Sequence, residues 1–185
     1  MTWSIIARDP RTGEIAIAVA TKFFAVGARV PFLRAGVGAL ATQALVNPLY
    51  GRRGLALLEA DVPAADVVRL LTEADAGRLM RQVHVMDREG RFAAHTGGGC
   101  VDWAGHIRGK DCSCAGNMLV GPQVVAETVS SFEQNSALPM AQRLIAALKA
   151  GEAAGGDQRG KQSAALAIAS TEEYSDLDLR VDDHV

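Results

Sequence analysis

The sequence lacks the features that mark three common functional classes. Its 185 residues carry 19 Lys and Arg against 21 Asp and Glu, a formal net charge of −2, so there is no basic footprint for nucleic acid. The longest apolar runs, such as AIAVAT, are far too short to span a bilayer, and no secretory signal is visible. We therefore expect a cytoplasmic protein that binds neither nucleic acid nor membrane.

Cysteine is scarce as well. The three thiols are Cys100, Cys112 and Cys114, and an odd count without a signal argues against a disulfide framework. The CSC spacing differs from the C-x₂₋₄-C pairs that are usual for structural zinc, although His106 lies nearby. We expect packed thiols, no metal and no cofactor, with a metal site on these residues as the weaker alternative.

Familiar catalytic motifs are missing too. The sequence contains neither GxSxG nor H-E-x-x-H, and the glycine-rich loop near the C-terminal end does not match the phosphate-binding pattern. No two carboxylates stand out as an acid–base pair. Any catalytic chemistry must therefore rest on another arrangement.

The pattern of apolar residues predicts an α+β chain. Strands are expected over residues 3–8 and 14–21, in GVGALATQA, in the hairpin RQVHVMDREGRFAAHTG, and in KQSAALAIAS and DLDLRVDD. Helices are expected after Asn47 as N-cap, over residues 63–73, in GPQVVAETVSSFEQ, and from ALPM to a C-terminal end at Gly151. Helices grouped between antiparallel hairpins favour layered α+β architecture, and one domain should cover residues 1–185.

Polar residues at strand ends and in loops are the first candidates for a site. Gln43 follows a strand of apolar and small residues, and capping does not explain it. His95 ends a strand before three glycines, where a histidine can act as a base or merely precede a turn. Asn117 could place an amide donor near a developing oxyanion, or serve turn geometry. Asp157 and Arg159 could face a ligand, or form a solvated turn with a surface ion pair.

Thr2 stands directly before the first predicted strand. It could be a β-branched residue that simply begins the strand. Alternatively, removal of Met1 would give Thr2 a free α-amine beside its hydroxyl, the arrangement of an N-terminal nucleophile. Such an amine titrates at about 7.7–8.0 and so can act as a base near neutral pH.

Many collinear blocks resemble a bacterial and archaeal family of unknown function that is grouped by fold with the N-terminal nucleophile hydrolases. These blocks include TWSIIARDPRTGEIAIAVAT, FFAVGARVPFLRAGVGALATQA, NPLYGRRGL, AAHTG, WAGH, GNMLVGP and AAGGDQRGKQSAAL, and they span residues 2 to 184. The resemblance implies a four-layer αββα sandwich, with two antiparallel sheets face to face and helices outside.

The same resemblance implies a site built on Thr2 as the nucleophile. Asn117 and backbone N–H groups would stabilise the oxyanion, and Thr21 would hold the amine or the substrate. The substrate-binding residues expected around them are Gln43, His95, Thr96, Asp157 and Arg159. The implied activity is hydrolysis of an amide-type bond in a small molecule. Apart from the resemblance, apolar helix faces would fit a homodimer if they are exposed, and the oligomeric state stays open. The alternative is a non-catalytic binding or assembly protein that keeps the fold.

Overall fold

The computed structural model describes residues 2–184, so Met1, whose removal the sequence analysis invokes, lies outside the described residues. The strands are β1 (Thr2–Arg8), β2 (Ile15–Thr21), β3 (Pro31–Arg34), β4 (Gly38–Ala44), β5 (Arg81–Asp87), β6 (Phe92–Thr96), β7 (Gly105–Arg108), β8 (Cys112–Asn117), β9 (Ser163–Ala169) and β10 (Leu177–Val181). The α-helices are α1 (Pro48–Glu59), α2 (Ala64–Glu73), α3 (Gln123–Gln134) and α4 (Met140–Ala153).

The strands of residues 2–184 form two antiparallel sheets. The larger sheet has the order β10-β9-β2-β1-β8-β7, and the smaller has the order β3-β4-β5-β6. Helices α3 and α4 pack on the outer face of the larger sheet, and α1 and α2 pack on the outer face of the smaller one. The expected four-layer αββα sandwich is thus confirmed.

Strand β1 lies inside the larger sheet, between β2 and β8. Because side chains alternate along a strand, Trp3 and Ile5 pack toward the helices, whereas Ser4 and Ile6 face the smaller sheet. Every residue from position 2 to position 7 is buried. The first described residue therefore lies at one end of the layer between the two sheets.

The layer between the sheets has an apolar half and a polar half. The apolar half contains Ile6, Ile17, Val19, Ala39, Ala41, Met86 and Phe92. The polar half, toward the Thr2 end, contains Ser4, Gln43, Gln82, His84, Ser113 and Asn117, which are also buried. Burial of apolar surface stabilises the first half, whereas the second half depends on hydrogen bonds between its own side chains.

Two helix boundaries test the sequence analysis. Asn47 caps α1 as predicted, because its Oδ1 accepts a hydrogen bond from the backbone N–H of Leu49 at 3.2 Å. The predicted end of α4 at Gly151 is wrong, since the helix continues to Ala153. Gly151 is buried inside the helix, where an added Cβ would collide with Thr128 and Trp3. The glycine therefore allows close packing of α4 instead of ending the helix.

None of the helices in residues 2–184 has the length and apolar character needed to cross a bilayer.

The apolar half of the layer between the sheets makes a direct stability prediction. Ile17 is fully buried there, so Ile17→Ala should lower the free energy of unfolding by about 2–5 kcal/mol in urea titrations. Leu179→Ala is the control, because Leu179 is 48% exposed and its loss should change the value by only about 0.5 kcal/mol. Equal effects of the two variants would contradict the assignment of the core.

Candidate functional site

Thr2 begins the central strand, with a partner strand on each side. The register places it opposite Thr21 of β2 and Asn117 of β8. Its hydroxyl donates a hydrogen bond to the hydroxyl of Thr21 at 3.1 Å, and Thr2 is 8% exposed. The structure therefore brings together the three residues that the sequence analysis proposed as catalytic.

Two side-chain amides converge on the backbone carbonyl of Thr2. Gln43 Nε2 and Asn117 Nδ2 each donate to this oxygen at 3.3 Å. Behind them, Gln82 Oε1 accepts from Gln43 Nε2 at 2.8 Å and from Asn117 Nδ2 at 3.0 Å. We call these four residues the Thr2 bracket, and they hold the start of β1 in one position.

The Asn117 amide is already used inside the Thr2 bracket. Its two N–H protons point to two protein acceptors, the Thr2 carbonyl and Gln82 Oε1. The arrangement makes Asn117 a residue that positions Thr2. Its role as an oxyanion donor remains a prediction.

Gln82 also connects the bracket to the neighbouring strands. Its Nε2 lies 2.8 Å from the Gly116 carbonyl, 3.0 Å from the Gly105 carbonyl and 2.9 Å from the Thr96 hydroxyl. Thr96 Oγ1 in turn lies 3.0 Å from His106 Nδ1. The predicted residue Thr96 therefore supports the bracket through Gln82.

A second polar chain continues from Gln43 into the layer between the sheets. The Ser4 hydroxyl donates to Gln43 Oε1 at 2.6 Å and lies 2.8 Å from His84 Nε2. Because the single hydroxyl proton of Ser4 is used, Nε2 must carry the proton and donate to Ser4, which leaves His84 Nδ1 to accept from Ser113 Oγ at 3.1 Å. Burial, with the nearby charge of His106 second, lowers the pKa of His84 to about 3, so the ring stays neutral.

Asp157 and Arg159 lie beside the end of β2. Asp157 is buried, and its Oδ2 accepts from the backbone N–H of Lys22 at 2.9 Å while its Oδ1 accepts from the backbone N–H of Arg159 at 2.7 Å. The Arg159 guanidinium contacts the same carboxylate at 3.3 Å and has 40% of its side chain exposed. Asp157 therefore fastens its loop to the residue that follows Thr21.

His95 lies apart from this cluster. Its Nε2 is 2.9 Å from the Arg78 carbonyl, and strand alternation directs it away from the face of β6 that carries Thr96. Of the eight predicted site residues, the structure gathers Thr2, Thr21, Asn117, Gln43 and Thr96 through hydrogen bonds, and places Asp157 and Arg159 at the edge.

The residues that connect the site were not among those predicted from the sequence. They are Ser4, Gln82, His84, His106 and Ser113. A usable signal was present in RQVHVMD, where Gln82 and His84 alternate with apolar residues and so occupy one face of a strand. Such alternation is typical of a half-buried strand with its polar face in solvent, so the pattern places both residues on one face but does not show that this face is buried.

The thiols do not take part in this site. Cys112 and Cys114 face α3 and α4, and burial raises the pKa of Cys112 to about 12 and that of Cys114 further. Across residues 2–184, no group of three or more His, Cys, Asp and Glu side chains has an arrangement that could hold a metal ion.

Comparison with known proteins identifies the family. A model described as a family of unknown function (DUF1028) matches residues 2–185. The chain belongs to the DUF1028 family. This confirms the resemblance to a family of unknown function on which the sequence analysis relied.

A crystal structure from the DUF1028 family is similar over almost the whole chain. It is protein SPO2555 from Silicibacter pomeroyi, with 35% identity and a TM-score of 0.92, covering 99% of this chain and 79% of that one. Anbu (ancestral beta-subunit) from Yersinia bercovieri gives 12% identity and a TM-score of 0.45, covering 97% and 86%, a likeness too low to carry an argument. None of the curated proteins matches the sequence significantly.

The Thr2 bracket predicts a large effect at Gln82. Gln82→Met removes the acceptor for two buried amides and an NH₂ group that lies within hydrogen-bond distance of three oxygens, so the free energy of unfolding should fall by about 3 kcal/mol in urea titrations. Gln134→Met, at an exposed glutamine on α3, should change it by about 0.5 kcal/mol or less. A change at Gln82 as small as that of the control would contradict the network.

His84 predicts a pH-dependent stability. The pKa of His84 is about 3 in the folded protein and about 6.5 in the unfolded chain. As the pH drops below 6.5, the unfolded chain therefore takes up a proton that the folded protein does not, and the free energy of unfolding falls. The stability advantage of wild type over His84→Gln should shrink by about 2 kcal/mol between pH 6.5 and pH 5. Urea titrations at both pH values measure this. Gln134→Met should keep a constant offset from wild type, and a constant offset for His84→Gln would contradict the prediction.

Proposed function

We propose that this chain is an N-terminal-nucleophile hydrolase that cleaves an amide-type bond in a small molecule through Thr2, after removal of Met1. The position of Thr2 carries the proposal. It is the first residue of a buried central strand, its hydroxyl is 3.1 Å from that of Thr21, and the amides of Gln43 and Asn117 hold its carbonyl. The four-layer fold is compatible with this chemistry, although a fold alone does not specify an activity.

The proposed reaction uses two groups of one residue. The α-amine of Thr2 takes the hydroxyl proton as Oγ1 attacks the substrate carbonyl carbon, which forms a tetrahedral intermediate. The protonated amine then gives the proton to the departing nitrogen, the C–N bond breaks, and an ester to Thr2 remains. Water, deprotonated by the same amine, hydrolyses the ester and restores the hydroxyl. Proximity is built into the residue, so no separate histidine is required.

The neighbouring residues take positioning and binding roles in this proposal. Thr21 orients the Thr2 hydroxyl in the resting site, and the hydroxyl then rotates to donate to the Thr2 amine. Gln43 and Asn117 fix the Thr2 backbone through hydrogen bonds to its carbonyl. Asp157 fixes the backbone at Lys22, directly after the end of the adjoining strand β2. The partly exposed guanidinium of Arg159 is proposed to contact a substrate carboxylate, as a planar fork of donors can.

A second candidate function is non-catalytic assembly, and one observation favours it. Large apolar side chains are 40–60% exposed in the segments that flank the strand ends around Thr2. They are Phe23, Phe24, Leu45, Leu79, Met80, Val101 and Val120. Exposed apolar patches mark interaction surfaces, so a homodimer through this end would suit the same fold.

The decisive test joins mass spectrometry with covalent labelling. We expect the intact mass of protein purified without an N-terminal tag to show loss of Met1, and a β-lactone probe to acylate Thr2. Thr2→Ala should abolish the adduct, whereas Thr2→Ser should retain it because the hydroxyl and the amine remain. The labelling rate should rise with pH through about 8, as the amine loses its proton.

Thr12→Ala is the matched control, since Thr12 is an exposed threonine in a turn and its loss should leave labelling unchanged. Retention of Met1, or an equal adduct on Thr2→Ala, would reject the hydrolase. In that event, light scattering of Phe24→Ser against wild type would test assembly, which predicts a smaller particle for the variant.

A further inference from the structure

A cavity lies on the opposite face of the larger sheet from the Thr2 bracket. It occupies about 340 Å³ between α4 and the sheet. Trp3, Ala20 and Ala164 line it from the sheet, and Ile145 and Leu148 line it from the helix. Its volume is at the small end of the range of about 300–1,000 Å³ that is typical of small-molecule sites.

The cavity exists because two adjacent strands carry alanine at the same level. Strand pairing aligns Val181, Ala164, Ala20 and Trp3 in one row across β10, β9, β2 and β1. The alanines leave a trough between the larger side chains at the two ends of the row. Two residues further along β9, on the same face as Ala164, lies Leu166, which is 5% exposed and packs in the core. The trough is thus closed at that end.

Helix α4 covers the trough with a single stripe of side chains. Ile145, Leu148, Lys149 and Glu152 have the spacing that places residues on one helix face. The apolar wall remains open to solvent, because Ile145 is 42% exposed and Val181 is 48% exposed. An apolar molecule in the trough would remove this surface from water.

The mouth of the cavity has one more cation than anion among its lysine and glutamate residues. Lys161 pairs with Glu152 at 3.2 Å. Lys149 is exposed and forms no ion pair with any residue in the described part of the chain. Its ammonium therefore places a positive charge at the edge of an apolar trough.

We propose that this cavity binds a small amphipathic carboxylate, with its apolar chain along the alanine row and its carboxylate on Lys149. The apolar walls select the chain, and the Lys149 ammonium selects the anionic end. The site is separate from Thr2, because Trp3 and Ala20 project from the helix-facing side of the sheet. It stands whether or not the chain is a hydrolase.

Tryptophan fluorescence gives a direct readout. The chain has two tryptophans, so Trp103→Phe leaves Trp3, in the cavity wall, as the reporter. Decanoate should bind saturably and change the emission of Trp3. Decanol should bind about fivefold more weakly because it lacks the charge, and acetate should not bind because it lacks the chain. Equal binding of decanoate and decanol, or no saturable change with decanoate, would overturn the proposal.

Variants of the wall and the mouth locate the binding. Ala164→Leu fills the trough and should weaken decanoate at least about tenfold, with circular dichroism to verify the fold. Lys149→Gln, a surface change that leaves the fold intact, should weaken it about fivefold. Lys110→Gln is the matched control at an exposed lysine outside the cavity and should have no effect. Equal affinities of Lys149→Gln and Lys110→Gln would overturn the assignment of the carboxylate, even if Ala164→Leu failed to fold.

Discussion

The hydrogen bonds of Gln82 join the two sheets at the end where Thr2 lies. Gln82 belongs to the smaller sheet, but its amide accepts from Asn117 and donates to the Gly116 carbonyl, both on β8 of the larger sheet. Through Gln43 it also reaches the carbonyl of Thr2. Because a buried amide without a hydrogen-bond partner would be costly, each of these groups must keep its partners. The position of Thr2 follows from that requirement.

The two halves of the layer between the sheets are held together by different interactions. The apolar half, with residues such as Ile17 and Met86, is stabilised by burial of apolar surface, which has no preferred direction. The polar half differs, because hydrogen bonds such as Ser4 to Gln43 require fixed distances and directions. The apolar half thus stabilises the sandwich by burial, and the hydrogen bonds of the polar half also fix the position of one sheet against the other.

Elements with a clear local pattern were predicted from the sequence, whereas features that depend on packing between distant residues were not. Strands β1 and β2 were predicted because β-branched residues alternate beside a clear turn, whereas β8, with the sequence CSCAGN, has no such pattern and was not recognised as a strand. Gln43 was identified because it follows an apolar strand, but its partner Gln82 is 39 residues away and only the fold brings them together. Gly151 was misread as a helix end because close packing against Trp3 leaves no mark in a local pattern.

The pairing of β1 has a consequence for the timing of events during synthesis. Thr2 can pair with β2 as soon as the first hairpin forms, but Asn117, which closes the other side, follows 115 residues later in the chain. One edge of β1 therefore stays open while more than half of the protein is made. The removal of Met1 that the proposed function requires has this interval in which to take place, before the late strand encloses Thr2 in the middle of the sheet.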